Sequence, residues 1–586
     1  MNVALGCEGE DAGECGVVGF LFFRCAQTGG TGCLGIGECG EDGLHGLTRC
    51  GLTGPRGRGL DQIDGIRGHV TAFVIAGRGQ EAADQDYGDG SQTAITHRNE
   101  CREEECLSQR LPADGPGDTL IGMNVTMAHP SINEHELERS IREIGEEVFQ
   151  RAEDAAPSVW SMERWQQSAM EWMTQDEDLK LRLFQFVESL PRLGTSVQVA
   201  GRLKELLTRN ENGHGPLPAI LQFALAYERN DSLFASIVAG TARWGCAQSA
   251  RQFICGSTPS EAIASVMKLR RQGMAFTVDL LGETVHSTKV ARGHLETYLR
   301  LIAELGTAAR SWTDDPVLDV APWGPIPKVN VSIKLTALAA DVERMDRASA
   351  AAAMAEPLRT VLRAAAAVGA FINVDMEHYS IKDLTLEVFK SVLMEDAFSD
   401  TPDIGIVIQA YLTDAMKDMH GLIDWSRGRG VPISVRLVKG AYWDSETARA
   451  QAEGRPPPVF AEKWQSDASF EQVGRLMIDH ADWIRPTIGS HNVRSIAAML
   501  AYSQAMGQAP RTVEVQMLTG MGDPLKRAMV AMKQRLRVYS PVGDLVKGMA
   551  YLIRRLIENT SNDSFLRQSF GDGRSVTSLL ARPGRA

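Results

Sequence analysis

From residue 270 onward the chain alternates short runs rich in Val, Ile and Leu with stretches of helical periodicity, and nothing else in it constrains the fold so tightly. The strand-like runs fall at 274–281, 328–338, 370–378, 404–412, 432–443, 484–492, 512–521 and 535–543. Helical patterns such as 344–368, 384–394 and 470–480 separate them. Eight β-α units in series predict an α/β fold, a parallel sheet closed on itself as a (β/α)8 TIM-like barrel. A doubly wound open sheet is the structural alternative. A barrel takes about 250 residues, so a chain of 586 has room for more.

The preceding segments differ in texture. Residues 133–269 carry apolar side chains at three-to-four spacing, at 132–149, 162–190, 197–207, 217–241 and 259–269, which predicts an all-α arm or cap. Residues 1–120 hold 25 of the 56 glycines and eight of the ten cysteines and keep no sustained period. They read as disordered or foreign to the fold, and translation from upstream of a start near Met123 or Met127 is the sharper form of that expectation. The division expected is thus 1–122 glycine- and cysteine-rich, 123–262 helical, 263–570 barrel and 571–586 tail. Two Gly-x-Gly-x-x-Gly matches, at 30–35 and 35–40, neither follow a strand nor open a helix, so they lack the context of a dinucleotide fingerprint. Cys101 and Cys106 have no CxxC or neighbouring His, and no metal site is expected.

The formal charge of −13 argues against general nucleic-acid binding. The longest apolar run near the start, 16–23, falls short of a membrane span and lacks the flanks of a signal peptide. Only Cys246 and Cys255 lie beyond residue 106, so the body of the chain reads as a reduced, cytoplasmic type, with peripheral membrane contact left open.

Alternation along the strands exposes an unusual inner face. Opposite the apolar sets Val331-Ile333-Leu335, Ile372-Val374-Met376, Ile404-Ile406-Ile408, Ile433-Val435-Leu437 and Val513-Val515-Met517 stand Lys334, Asp375, Gln409, Arg436 and Gln516. Barrel interiors are ordinarily filled by branched apolar residues. Buried charge must be paired or neutralised, so these strands imply either an internal network, such as Asp375–Arg436, or a large polar ligand at the mouth. The amides and aromatics beside the charges favour a ligand. Near the end of the chain, Tyr551, Arg555 and Glu558 share a helical face apart from an apolar stripe, and Arg554 is adjacent to Arg555. The pair suits bidentate capture of a carboxylate, or it is a solvated basic turn with Glu558 as partner of Arg554.

FTVDLLGE at 276–283, GIVIQAY at 405–411, RLVKGAYWDSE at 436–446, GMG at 520–522, YSPVG at 539–543 and YLIRRLIEN at 551–559 together resemble the proline dehydrogenase domain of the bifunctional proline-utilisation flavoproteins. The resemblance covers about 265–570, and 130–260 look more weakly like that family's helical arm. It implies FAD as cofactor, L-proline as substrate, Δ1-pyrroline-5-carboxylate as product and a membrane quinone as electron acceptor. Carried over by position, Arg554 and Arg555 clamp the proline carboxylate with Lys334. Tyr539 walls the proline ring, with Leu518 and Tyr442 nearby, and Asp375 organises the site through Arg555. Arg436 resembles the flavin N5 partner. Gln409, Val438, Lys439, Gly440, Trp443, His491, Asn492, Gln516 and Glu558 resemble further flavin contacts. The family's aldehyde dehydrogenase half and the short basic DNA-binding module of some members are expected to be missing, and a homo-oligomer is compatible with the resemblance. Two rival functions remain: oxidation of another secondary amine such as hydroxyproline, and an inactive truncated binding or oligomerisation module.

Overall fold

A computed structural model describes residues 3–6, 17–24, 31–33, 37–39, 132–155, parts of 182–190, 193–208, 232–282, 285–544 and 575–584. Eight parallel strands close into a barrel: β1 (Ala275–Leu280), β2 (Asn330–Ile333), β3 (Phe371–Val374), β4 (Ile404–Gln409), β5 (Ile433–Val438), β6 (Ile484–Gly489), β7 (Glu514–Leu518) and β8 (Leu536–Val542). Each pairs with its sequence neighbours, and β8 returns to β1 with Tyr539 beside Thr277 and Pro541 beside Asp279. The open-sheet alternative is thereby excluded. Every expected strand forms, but several stop early. β2 ends at Ile333, and Leu335–Leu338 turn into a short helix, so Lys334 stands just beyond the strand.

The apolar faces do what their alternation predicts. Phe276, Val278, Val331, Ile333, Ile372, Val374, Ile406, Val435, Leu437, Ile488, Val515 and Val538 are buried in one continuous core between barrel and outer helices. Those helices begin and end on local chemistry. In Pro259–Arg271 the Thr258 hydroxyl caps the Glu261 amide and proline opens the first turn. In Arg347–Val368, Asp346 caps the start, and Gly369 at φ 65° closes the end. Lys463–Asp479 packs so tightly on Val493–Ala505 that a Cβ at Gly474 would lie 2.1 Å from the Met499 sulfur.

The helical segment divides differently from the expectation of one arm. Glu134–Asp154 lays Leu137, Ile141, Val148 and Phe149 into the barrel's own core, against Val493–Ala505 and Asp523–Ala531. Ser196–Thr208 and Ser232–Phe253 build a second core around Val199, Leu203, Leu206 and Val238. Of the pattern at 217–241 only the part from Ser232 is described, and the pattern at 162–190 lies mostly outside the described residues.

Residues 1–121 form a separate compact unit. Its described residues are four short strands. Val17–Arg24 pairs antiparallel with Val3–Gly6, Thr31–Cys33 and Gly37–Cys39. The β-branched and aromatic side chains of Val17–Arg24 carry strand propensity that the glycines around them do not cancel. The remainder of that segment lies outside the described residues.

Candidate active site

The carboxyl ends of five strands bring one polar cluster together inside the barrel. Lys334 Nζ lies 2.6 Å from Asp279 Oδ2 and 3.9 Å from Asp375 Oδ2. The Tyr539 hydroxyl donates to Asp375 Oδ2 at 2.8 Å and stands 3.5 Å from Lys334 Nζ. Arg436 donates to Asp375 Oδ1 at 2.6 Å and to the Ser332 hydroxyl at 3.0 Å, its guanidinium 5.4 Å from the centre of the Tyr539 ring. The Asn373 amide adds a third donor to the Asp375 carboxylate, at Oδ1, 3.0 Å away. The side chains come from β1, β3, β5, β8 and the residue after β2. Strands that are not neighbours meet this way only through the lumen.

The alternative of an internal network is thus realised: Asp375 and Arg436 pair. Two carboxylates face two cations, so buried charge alone does not demand a ligand here. Electrostatics in the cluster favour the charged form of Lys334. Burial alone would lower the Lys334 ammonium, but Asp279 and Asp375 outweigh it and hold it well above the usual lysine value. Burial and the same two carboxylates hold the Tyr539 phenol well above the tyrosine range. Tyr539 is therefore a hydrogen-bond donor across the whole physiological range.

A second cluster lies deeper, toward the amino ends of the strands. Glu514 takes Arg537 through Nε at 2.7 Å and Arg535 through Nε at 2.9 Å, and Gln516 donates to it at 2.8 Å. The alternation read above covers β2, β3, β4, β5 and β7. Carried to β1 and β8, the same period of two would have found Asp279, Arg535 and Arg537.

A family model described as Proline dehydrogenase matches residues 262–568, more than half of the chain. The chain belongs to the proline dehydrogenase family. A second model, the Proline utilization A N-terminal domain, matches 138–253. The Bifunctional protein PutA of Klebsiella aerogenes is 31% identical over 343 residues, 57% of this chain and 25% of that protein. Proline dehydrogenase 2 of Bacillus subtilis (strain 168) is 29% identical over 322 residues, 55% of this chain and 90% of that protein. A crystal structure of proline utilization A from Bdellovibrio bacteriovorus, inactivated by N-propargylglycine, superposes with a TM-score of 0.69 at 38% identity, over 76% of this chain and 44% of that one. The Bradyrhizobium japonicum protein, at 23% identity and a TM-score of 0.59 over 77% of this chain and 46% of that one, shares the fold. The matched stretch is about a quarter of the length of the bifunctional relatives.

The residues expected to serve a proline dehydrogenase fall into four groups. Lys334, Asp375, Arg436 and Tyr539 converge as described. Around them, Gln409 ends β4 with Oε1 buried and, among the described residues, without a hydrogen-bond partner, while its amide donates to the Glu377 carbonyl at 3.2 Å. His491 is fixed by accepting the Leu518 amide at Nε2, 2.9 Å away. Tyr442 tilts against His378, with ring centres 4.4 Å apart. Trp443 is 41% exposed and donates from Nε1 to the Phe460 carbonyl. Val438 is half-buried at the end of β5.

Others hold local jobs. Asn492 caps Val493–Ala505 by accepting the Ser495 amide. Lys439 pairs with Asp467, and Gln516 with Glu514. Arg554, Arg555 and Glu558 lie outside the described residues.

The rim beyond β5 is shaped for close approach. Gly440 has φ 127°, and a Cβ there would meet the Tyr411 ring at 2.4 Å. A backbone cradle with no side chain, beside the unpaired Gln409 carbonyl oxygen, fits a flat polar ring system such as a flavin. Gly440→Ala should cost about 1–3 kcal/mol through strain and forced displacement of Tyr411. Chemical unfolding measures it, and an unchanged midpoint would contradict the crowding.

Proposed function

We propose that the chain is an FAD-dependent dehydrogenase that oxidises L-proline to Δ1-pyrroline-5-carboxylate. The observation that carries this reading is the Lys334–Asp279–Asp375–Tyr539–Arg436 cluster at the barrel mouth of a proline dehydrogenase family member. A bound flavin supplies the acceptor for the hydride that leaves proline C5, and the imino acid loses its amine proton. The protein's own residues do the positioning. Lys334, permanently charged, attracts the substrate carboxylate, with Arg554 and Arg555 as its partners. Tyr539 is pinned by Asp375, which leaves its ring face as a wall for the pyrrolidine. Arg436, held by Asp375 and Ser332, would offer fixed positive charge to stabilise a reduced flavin. Gln409, Gly440, Trp443 and His491 would hold the flavin.

Electrons then pass to a membrane quinone from a cytoplasmic protein touching the bilayer peripherally. Among the described residues no helix is long and apolar enough to cross a membrane.

Anaerobic titration with proline tests the reading. The flavin absorbance of the purified protein should bleach in proportion to added substrate, and N-propargylglycine should inactivate it as it does the Bdellovibrio relative. A colourless protein that does not take up FAD, or one that stays yellow under excess proline, sinks the proposal.

Arg555→Met should retain flavin but lose about 2–4 kcal/mol of proline binding, as expected for a charge-assisted bidentate contact. It would appear as a steep rise in KM. Unchanged steady-state kinetics would refute the role of Arg555.

A further inference from the structure

The floor of the barrel carries more positive charge than it neutralises. The hairpin of Val320–Ala321 and Gly324–Pro325 carries Trp323 to the amino-terminal end of the lumen, beside Asn330, Phe371 and Glu514. Its Trp323 ring lies 5.2 Å from the Arg485 guanidinium and 5.6 Å from that of Arg535. Between Trp323 and the Asp375 cluster is a cavity of about 40 Å³, lined among others by Arg436, Arg485, Arg535, Arg537, Asp403 and Glu514. Four guanidiniums there face two carboxylates. Asp375, 2.6 Å from Arg436, accounts for one more. One positive charge is left without a counterion among the described residues.

Two donors also remain unused. The Nε atoms of Arg436 and Arg485 are buried and, among the described residues, without a hydrogen-bond partner. Arg436 is 5% exposed, so water outside the barrel does not satisfy it. Burial holds the guanidiniums of Arg485 and Arg535 below the usual arginine value, as expected where cations are desolvated together.

We propose that this chamber binds one monovalent inorganic anion of about chloride size, held by the Nε–H groups of Arg436 and Arg485 above the Trp323 floor. The volume admits about three water-sized occupants, so a chloride fits with one or two waters beside it. Those waters supply donors to Asn330 Oδ1 and Gln516 Oε1, acceptors that also lack partners among the described residues. Water alone would satisfy the hydrogen bonds and leave the charge unmatched. The chamber shares Arg436 with the proposed active site but opens on its opposite side, and its test does not depend on turnover.

Crystals of the full chain grown or soaked in bromide should show an anomalous peak in contact with the Nε atoms of Arg436 and Arg485. In solution, chloride or bromide should raise Tm saturably by about 3 °C over gluconate of equal ionic strength, as for any ligand that binds the folded state alone. A nitrate arm distinguishes a halide site from one open to other small anions. Arg485→Gln, which removes a side chain outside the proposed catalytic machinery, should abolish the difference between salts. A bromide-free chamber, or the same Tm in chloride and gluconate, overturns the proposal. The bromide map is taken on the unsubstituted protein and stands even where the variant fails to fold.

Discussion

Replacing Glu514 by glutamine should lower the unfolding free energy by about 3–5 kcal/mol, the range for breaking a buried ion pair by removing one partner. Glu514 is 7% exposed and receives Nε and a terminal nitrogen of Arg537, Nε of Arg535 and the Gln516 amide. Arg535 is among the largest fully buried side chains of the described residues. Glutamine keeps the shape but leaves two guanidiniums in the lumen without their shared carboxylate.

The same arrangement predicts a pH signature. Burial alone would raise the Glu514 carboxyl, but Arg537 and Arg535 outweigh it and bring it from 4.5 down to about 2. A carboxyl depressed by folding stabilises the folded state fully above its unfolded value, and that contribution is lost as pH falls through the folded value. The depression corresponds to about 3 kcal/mol, present above about pH 4.5 and gone below about pH 2. Urea unfolding of both proteins across that window should therefore show a wide gap near neutrality that narrows in acid. A gap that does not change with pH would mean that the loss comes from packing rather than from the carboxylate.

The barrel was legible because each strand's outward face is a run of branched apolar side chains, and that face is a local property. Ile372-Val374 and Ile433-Val435-Leu437 need no knowledge of their neighbours to be read as buried. The inner face is different. Whether Asp375 meets Arg436 from β5, Tyr539 from β8 or Lys334 from the end of β2 depends on strand register and tilt, which no single strand encodes. Asp279 shows the point: within FTVDLLGE it looks like one polar residue in an apolar strand, and only closure of β1 against β2 and β8 makes it the partner of Lys334. The boundary of β2 was misplaced for a related reason. Leu335, Ala337 and Leu338 are apolar enough to continue a strand, yet they are buried as a helical turn under the loop at 285, where the Val285 amide donates to the Thr336 carbonyl. The role given to Arg554 and Arg555 rests on motif alone.

Asp375→Asn should reduce kcat/KM for proline by about a hundredfold or more, since charge-assisted hydrogen bonds to Tyr539 and Arg436 are each worth about 1.5–3 kcal/mol. Asp375 is the group on which the cluster converges: Tyr539, Arg436, Asn373 and Lys334 all approach it within 4 Å. Asparagine removes the only carboxylate bonded to Arg436 among the described residues and turns one acceptor oxygen into a donor. Either Arg436 or Tyr539 then loses its anchor. Loss of stability alone would lower activity without distinguishing these effects, so the decisive measurement is a double-mutant cycle with Tyr539→Phe.

The phenylalanine variant removes the hydroxyl that bonds Asp375 and keeps the ring face. If Asp375 acts by pinning Tyr539, the two losses overlap, and the double variant is better by about 0.5–3 kcal/mol than the sum of the singles. If Asp375 acts through Arg436 instead, the losses add, and the Asp375→Asn defect falls on kcat, where the flavin-side charge matters, rather than on KM. Wild-type kinetics for Asp375→Asn would remove the cluster from the reaction altogether and leave it as internal scaffolding of the barrel.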